Sequence, residues 1–332
     1  PLACADYQTN GYTLAGYLAT YDPAVWGTAE PSGPLEDARA ASAALQTARV
    51  GIKVGANTTI IGLPGARLLG ADLLINKVDN VIIRNVTFEH AFDCFPQWDP
   101  TDGATGAWNS LYDNVSLTGA THVWVDHNTF TDGSHPDSLQ PTYFGDEFQQ
   151  HDGELDITKA SDLVTVEWNQ FRDHDKTNLL GSSNTVGPDV GKLRITMHHN
   201  LYANILQRAP RVRFGQVHVY NNLYVVPGGR GYLYSWGVGV QSQIFAESNF
   251  FLLGSGVTAD KVIFNWGGTD IHAANNLVNG RPTDLLAAFN AANPTTPIGS
   301  ATTWTPTLHT RIDPAWLVPL TVALGAGAGH LR

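Results

Sequence analysis

Along the middle of the chain, apolar and polar residues alternate in a short segment that recurs. Each copy closes on an asparagine followed by an apolar or aromatic pair. The copies are residues 80–88 (NVIIRNVTF), 122–130 (HVWVDHNTF), 163–171 (LVTVEWNQF), 193–202 (LRITMHHNLY), 216–224 (QVHVYNNLY), 243–251 (QIFAESNFF) and 270–278 (DIHAANNLV). Strict alternation is the strand period. The closing residues Asn85, Asn128, Asn169, Asn200, Asn222, Asn249 and Asn276 are spaced at one or two times a unit of about 22 residues, and a repeat in that range signals a solenoid. Period-2 strands with no amphipathic helices between them predict an all-β, right-handed parallel β-helix, each coil adding one rung to each sheet. Asparagine tolerates left-handed backbone and can bond to its counterpart one coil away, so an asparagine ladder is expected at the turns. A β-sandwich with coincidentally spaced turns is the alternative, and seven copies argue against it.

The two ends carry a different pattern. Residues 33–50 place Ala and Leu at helical spacing, as expected of a helix capping the open end of a solenoid. Beyond residue 280 the chain turns rich in Ala, Thr and Pro, with a short helical stretch at 283–292 and an irregular tail. That tail has too little apolar periodicity for a core of its own. The expectation is therefore a single domain over residues 1–332: an N-terminal cap (1–50), coils (51–280) and a C-terminal strap (281–332). Residues 95–108 and 132–150 are long Gly-, Pro- and Asp-rich loops between coils, where binding sites tend to sit.

Composition narrows the function classes. Charged residues make up 15% of the chain, beside 33 Gly and 18 Pro, which suits many short strands and tight turns. A net charge of −11 argues against a general nucleic-acid binder. Cys4 and Cys94 are the two cysteines, too few for a zinc site or a disulfide scaffold; they either bridge or remain buried thiols. No apolar run approaches a membrane span, and the chain starts at Pro1 without a signal-like segment. A processed, secreted, extracellular protein is expected, acting as a monomer without nucleic-acid or membrane partners.

Candidate chemistry sits in two clusters. In residues 151–157 (HDGELDI) Leu155 and Ile157 would point inward, and alternation would place Asp152, Glu154 and Asp156 together on the outward face. Carboxylates crowded in this way are tolerable if a hard cation takes their charge, and oxygen ligands without Cys favour Ca²⁺ over Zn²⁺. Asp113, about two coils earlier, could stack beside them. The alternative is a set of solvated acids on an acidic protein. The second cluster, residues 207–214 (QRAPRVRF), sets Arg208, Arg211 and Arg213 close together. A planar guanidinium fork suits carboxylates, so a receptor for an acidic ligand is predicted, unless these arginines only pair with the neighbouring acids. Lys176, in 173–176 (DHDK), is a further candidate point charge. Acids for a cation beside an Arg and Lys cluster suit an acidic sugar polymer lying along the groove of a β-helix. His127, His198 and His199 lie in or beside repeat strands without an HExxH spacing and are expected to be structural.

The segments WDPTDG, VWVDHNTFTDG, FQQHDGELDI, HDKTNLLGSSN and QRAPRVRFGQVHVYNN resemble those of pectate lyases in family 1 of the polysaccharide lyases, over about residues 51–224. The resemblance implies a calcium-dependent lyase that cleaves polygalacturonate (pectin) by β-elimination. It implies Asp113, Asp152 and Asp156 as Ca²⁺ ligands, Lys176 and Arg213 as substrate-binding residues, and Arg208 as acceptor of the C5 proton. Arg211, between the two matched arginines, is added as a substrate-binding residue. Leu111 departs from family members that have an acid two positions before the first ligand. The proton leaving lies α to a carboxylate, whose developing charge Ca²⁺ and Lys176 would stabilise. Free arginine holds its proton at neutral pH, so an alkaline optimum is expected. The rivals are a pectin lyase acting on methylated chains, a hydrolase with paired Asp around water, and a non-catalytic polyuronide-binding solenoid.

Overall fold

The computed structural model describes residues 3–229, 231–309 and 311–331. Three sheets run through the molecule, of eight, eight and nine strands among the described residues. In the first, the rungs follow chain order: Gly51–Lys53, Asp72–Asn76, Val115–Thr118, Leu155–Thr158, Leu179–Leu180, Arg211–Val212, Trp236–Gly239 and Ile263–Trp266. The chain visits the three sheets in turn and pairs each strand in parallel with its counterpart one coil on, which makes the right-handed parallel β-helix the repeat predicts. One antiparallel pair, Leu277–Val278 with Arg281–Pro282, ends the third sheet.

Register turns the alternation into columns. Val81, Val123, Val164, Ile195, Val217, Ile244 and Ile271 stack rung on rung, all buried. Each such side chain contributes about 1.5–3 kcal/mol when fully removed from water. Phe88, Phe130, Phe171, Tyr202, Tyr224 and Phe251 form a second column, their ring centroids 4.3 to 5.1 Å apart.

The asparagine ladder exists, with two differences from expectation. Each ladder residue accepts from the backbone N–H of the Asn one coil before it, and donates through Nδ2 to the Oδ1 of the next. This runs from Asn128 through Asn169, Asn200, Asn222 and Asn249 to Asn276. Asn85 is not a member: Val86 takes the ladder place in its coil, its N–H donating to Asn128 Oδ1. The left-handed residue is the one preceding each ladder position: Asn85 before Val86, and His127, Trp168, His199, Asn221, Ser248 and Asn275 before the asparagines. The second difference concerns coil length. Asn128 and Asn169, 41 residues apart, bond directly, so the long steps are single coils enlarged by the loops at 95–108 and 132–150, not pairs of coils. Asp113 and Asp152 therefore lie on adjacent coils, since Val115 pairs with Leu155.

Those loops are partly ordered into hairpins, Gln97–Asp99 with Ala107–Asn109 and Thr142–Tyr143 with Asp146–Glu147. With the N-terminal segment they bury a separate aromatic cluster that includes Tyr12, Tyr17, Phe95, Trp98, Trp108 and Phe148. The helix Pro34–Val50 is pinned to this region: Arg39 donates to Phe95 O at 2.7 Å, and Gln46 donates to Phe92 O and accepts from Cys94 N–H. Cys4 and Cys94 form a disulfide, resolving the choice left open by sequence. Toward the C-terminus, the helix Leu285–Ala292 buries Leu285 and Phe289 in the main core against the last coils. The helix Val318–Gly325 lays Val318 and Val322 on Leu223 and Phe250 of the third sheet. His127, Trp168 and His199 stack in series, and His198 lies 2.8 Å from Glu167.

Asn200→Ala would leave the buried N–H of Asn169 without its acceptor and remove three further bonds, to Asn169 Nδ2, Val166 O and Asn222 Oδ1. A loss of about 3 kcal/mol is expected in denaturant unfolding, against less than about 1 kcal/mol for a solvent-facing change such as Leu63→Ala.

Candidate active site

The chain enters the first sheet at each coil through a turn, and these turns place the site side by side. Asp113 precedes the third rung, Asp152 the fourth, Lys176 the fifth and Arg208 the sixth. Gly153 bridges Lys176 directly. Within the sheet, Asp156, Leu179, Arg211 and Gly237 follow one another in a single outward column.

The acids are held by the backbone. Asp113 Oδ1 accepts from Gly153 N–H at 2.9 Å, and Asp156 Oδ1 accepts from Leu179 N–H at 2.9 Å. A Cβ on Gly153 would lie 2.4 Å from Asp156 Oδ1 and 2.7 Å from Asp113 Oδ1, so the two carboxylates close over a residue that has room for them only because it is glycine. Burial and the mutual repulsion of Asp113, Asp152 and Asp156 push the Asp113 carboxyl up to about 7 and that of Asp156 well above its usual range. Asp152 is more exposed and leans toward Lys176, Oδ1 to Nζ 3.9 Å.

Two neighbours escaped the sequence reading. Ser116 Oγ stands 2.7 Å from Asp113 Oδ2 and 3.0 Å from Asp72 Oδ1. Burial and the neighbouring Asp113 push the Asp72 carboxyl up to about 8. Asp72 could have been found by aligning the inward pairs Leu73/Ile75, Val115/Leu117 and Leu155/Ile157. His174 is the other: Nδ1 faces Asp132 Oδ1 and Nε2 faces the Asp152 carbonyl, both at 2.8 Å. Two acceptors require both ring protons, and Asp132 holds the ring charged although burial opposes it.

Glu154 corrects the expected alternation. The successive N–H groups of Glu154 and Leu155 both donate to Thr177 O, whereas in a strand they would point opposite ways. The backbone turns there, and Glu154 is buried inside, near His174, Asp132 and Asp173. Burial raises its proton affinity far above the usual range, and it lies apart from Asp152 and Asp156.

The arginines do not neutralise the acids. Among the described residues no carboxylate comes within ion-pair distance of Arg208, Arg211 or Arg213. Arg213 donates to Asn184 Oδ1 at 2.7 Å and Gly181 O at 2.8 Å, while Nε of Arg208 and of Arg211 are buried without a partner. Burial and mutual repulsion lower the proton affinity of Arg211, to about 10, and of Arg213. Arg208 differs: burial works against its charge, but Asp152 and Asp156 outweigh it and hold the proton on. Arg208 also occupies left-handed backbone, φ 60°, a conformation costly to a non-glycine residue and common at functional sites.

A cation fits the acids by donor chemistry. They are oxygen ligands, two already positioned by the backbone, whose like charges raise one another's proton affinity. Among the described residues no group of three or more His, Cys, Asp or Glu side chains is arranged closely enough to hold a metal ion as it stands.

A family model described as pectate lyase matches residues 27–307. The chain belongs to the pectate lyase family. It is 47% identical to the pectate lyase of Bacillus subtilis, over 100% of this chain and 78% of that one, and 40% identical to pectate lyase E of Dickeya chrysanthemi, over 81% and 72%. A solved pectate lyase bound to a hexasaccharide superposes with a TM-score of 0.95 at 46% identity, covering 100% of this chain and 82% of its own. The chain is thus a polysaccharide lyase that acts on pectate, and the unpaired arginines are readily understood beside such a polyanion.

Gly153 gives this lyase its sharpest steric test. Gly153→Ala should fold, since it adds one methyl at a turn, yet force Asp113 and Asp156 apart. A fall of about 100-fold in pectate cleavage is expected, with circular dichroism unchanged.

Proposed function

We propose that the lyase cleaves polygalacturonate by calcium-dependent β-elimination, with Arg208 taking the proton from C5 of a uronate. The observation that carries this reading is the set of three arginines with no anionic partner, one rung or two from buried acids that repel one another. Asp113, Asp152 and Asp156 would hold calcium. Lys176, Arg211 and Arg213 would hold substrate carboxylates, and the relative with a bound hexasaccharide supports a chain substrate. Calcium would draw charge from the uronate carboxylate and cancel the negative field that keeps Arg208 protonated. Burial and the neighbouring guanidiniums then favour loss of the Arg208 proton, so the activity should be greatest in alkaline solution. Carbon–oxygen cleavage at C4 leaves an unsaturated uronide and needs no attacking water, in keeping with a relative described by its anti β-elimination mechanism.

Methylated pectin is a poorer fit, because esters offer no anion to Arg211, Arg213 or Lys176. A hydrolase would leave the arginines unexplained. The Cys4–Cys94 disulfide favours an oxidising, extracellular setting, and no helix among the described residues is long and apolar enough to cross a membrane.

Absorbance near 235 nm, where a conjugated uronide absorbs, should rise on incubation with polygalacturonate and Ca²⁺ at alkaline pH. Excess chelator should abolish the rise, and Arg208→Lys should lower its rate by at least about 100-fold. Reducing ends without absorbance would instead point to a hydrolase.

The raised carboxyls set a pH dependence. The native state holds protons on Asp113 and Asp72 up to about 7 and about 8, whereas the unfolded chain releases them near 3.8. Between those limits the native state binds more protons, so stability without metal falls as pH rises. Calcium needs the ionised forms, so the rise in Tm that it produces should be larger at pH 8 than at pH 5. An equal rise at both would separate its binding from these acids.

A further inference from the structure

The aspartates that precede the third and fourth rungs each follow a long loop, yet the segments leading to them are tied to one residue. Asp93 stands just before the first of these loops and is fully buried. Its Oδ1 accepts from Phe95 N–H at 2.8 Å and its Oδ2 from Leu111 N–H at 3.0 Å, so one carboxylate joins the start of the loop to the segment just past its end. The main chain of Asp93 holds the end of the second loop. Its N–H donates to Gln150 O at 2.7 Å, and Gln150 Nε2 donates to Asp93 O at 3.0 Å. Leu111 lies two residues before Asp113, and Gln150 lies two before Asp152.

A carboxylate taken out of water is costly unless its charge is satisfied. Arg39, which tempers the charge of Asp93, bonds to Glu36 and to Phe95 O instead of to Asp93 itself. Both oxygens of Asp93 serve backbone N–H groups, and a carboxylate is the short side chain that offers two acceptors and no donor. The clamp is anchored in its turn. Cys94 N–H donates to Gln46 Oε1 on the capping helix at 3.0 Å, Cys94 is bridged to Cys4, and Gln150 N–H donates to Asp137 Oδ1 at 3.0 Å. Past the clamp the two segments continue side by side, with Asp152 N–H donating to Tyr112 O and Asn114 N–H to Gly153 O. A shift at Leu111 or Gln150 therefore reaches Asp113 or Asp152 across a single residue.

We propose that Asp93 is a positioning residue for the cation site: by holding Leu111 through its carboxylate and Gln150 through its main chain, it sets Asp113 against Asp152 without touching the ion. The inference rests on the reading that these aspartates hold calcium, and it gives the N-terminal cap a part in the site. Its effect falls on calcium affinity. The chemistry at Arg208 should be left intact once calcium saturates the site.

Calorimetric titration of the folded, metal-free protein with Ca²⁺, without substrate, tests the clamp. Asp93→Asn keeps the shape of the side chain but turns one acceptor into a donor that faces an N–H. Gln150→Met has nearly the same length, removes the bond to Asp93 O and leaves every charge in place, and it decides the matter should Asp93→Asn fail to fold. The calcium Kd is expected to rise about tenfold or more in each variant, and saturating calcium should bring pectate cleavage back toward the wild-type rate. Asn200→Ala, which weakens the core away from the site, should keep the wild-type Kd. An unchanged Kd in folded Gln150→Met would reduce Asp93 to a distant charge and overturn the clamp, as would an unchanged Kd in folded Asp93→Asn. An equal rise in Asn200→Ala would also overturn it, because the loss would then follow stability alone. A wild type that binds no calcium would instead refute the reading of the three aspartates.

Discussion

Coil-on-coil pairing in register is the constraint from which the rest of this molecule follows. A parallel ladder sets each residue beside its counterpart one rung away, so whatever a position carries in one coil is presented to the next at strand spacing. Inside, that produces aliphatic columns, the stacked rings from Phe88 to Phe251 and the asparagine ladder, each satisfied only by its neighbours. Outside, the same register carries chemistry. Asp156, Leu179, Arg211, Gly237 and Phe264 form one column, and their spacing is as rigid as the core beneath them.

Along the first sheet the outward chemistry is graded. Asp72, Asp113, Asp152 and Asp156 belong to the second to fourth rungs, Lys176 and the arginines to the fifth and sixth, and the aromatic rings to the last. Opposite charges stand near enough to shift one another's proton affinity, yet only Lys176 and Asp152 come within ion-pair distance, at 3.9 Å. A protein built for stability alone would pair these groups. Leaving them unpaired costs stability, and the charged ligand recovers it, which is the pattern of a preorganised electrostatic site.

The repeat was legible because alternation and the closing Asn both follow from register, and both recur. Coil number was not: 41 residues separate Asn128 from Asn169 whether they form one enlarged coil or two ordinary ones, and only their direct bond distinguishes them. Arg208, Arg213, Lys176 and the three aspartates stood out as motifs. Asp72, Ser116 and His174 act through register and burial, which a motif does not display. Glu154 misled because alternation was extended through Gly153, where two successive N–H groups turn to the same carbonyl. The stacking of Arg211 on Trp266 lay hidden for a related reason: Gly237 and Gly239, on the rung between them, have no side chains.

The break in alternation at Gly153 also explains how a strand can offer acids to a cation without filling the core with charge. One face of a regular strand would have carried Asp152, Glu154 and Asp156 together. Turning at Gly153 sends Glu154 inward, where burial raises its proton affinity, brings Asp113 and Asp156 over the glycine, and leaves Asp152 beside Lys176. Asp152 and Asp156 are also the groups that hold the proton on Arg208. In the proposed mechanism, neutralising the acids and freeing the arginine would therefore be one electrostatic event, with the turn at Gly153 setting the geometry for both.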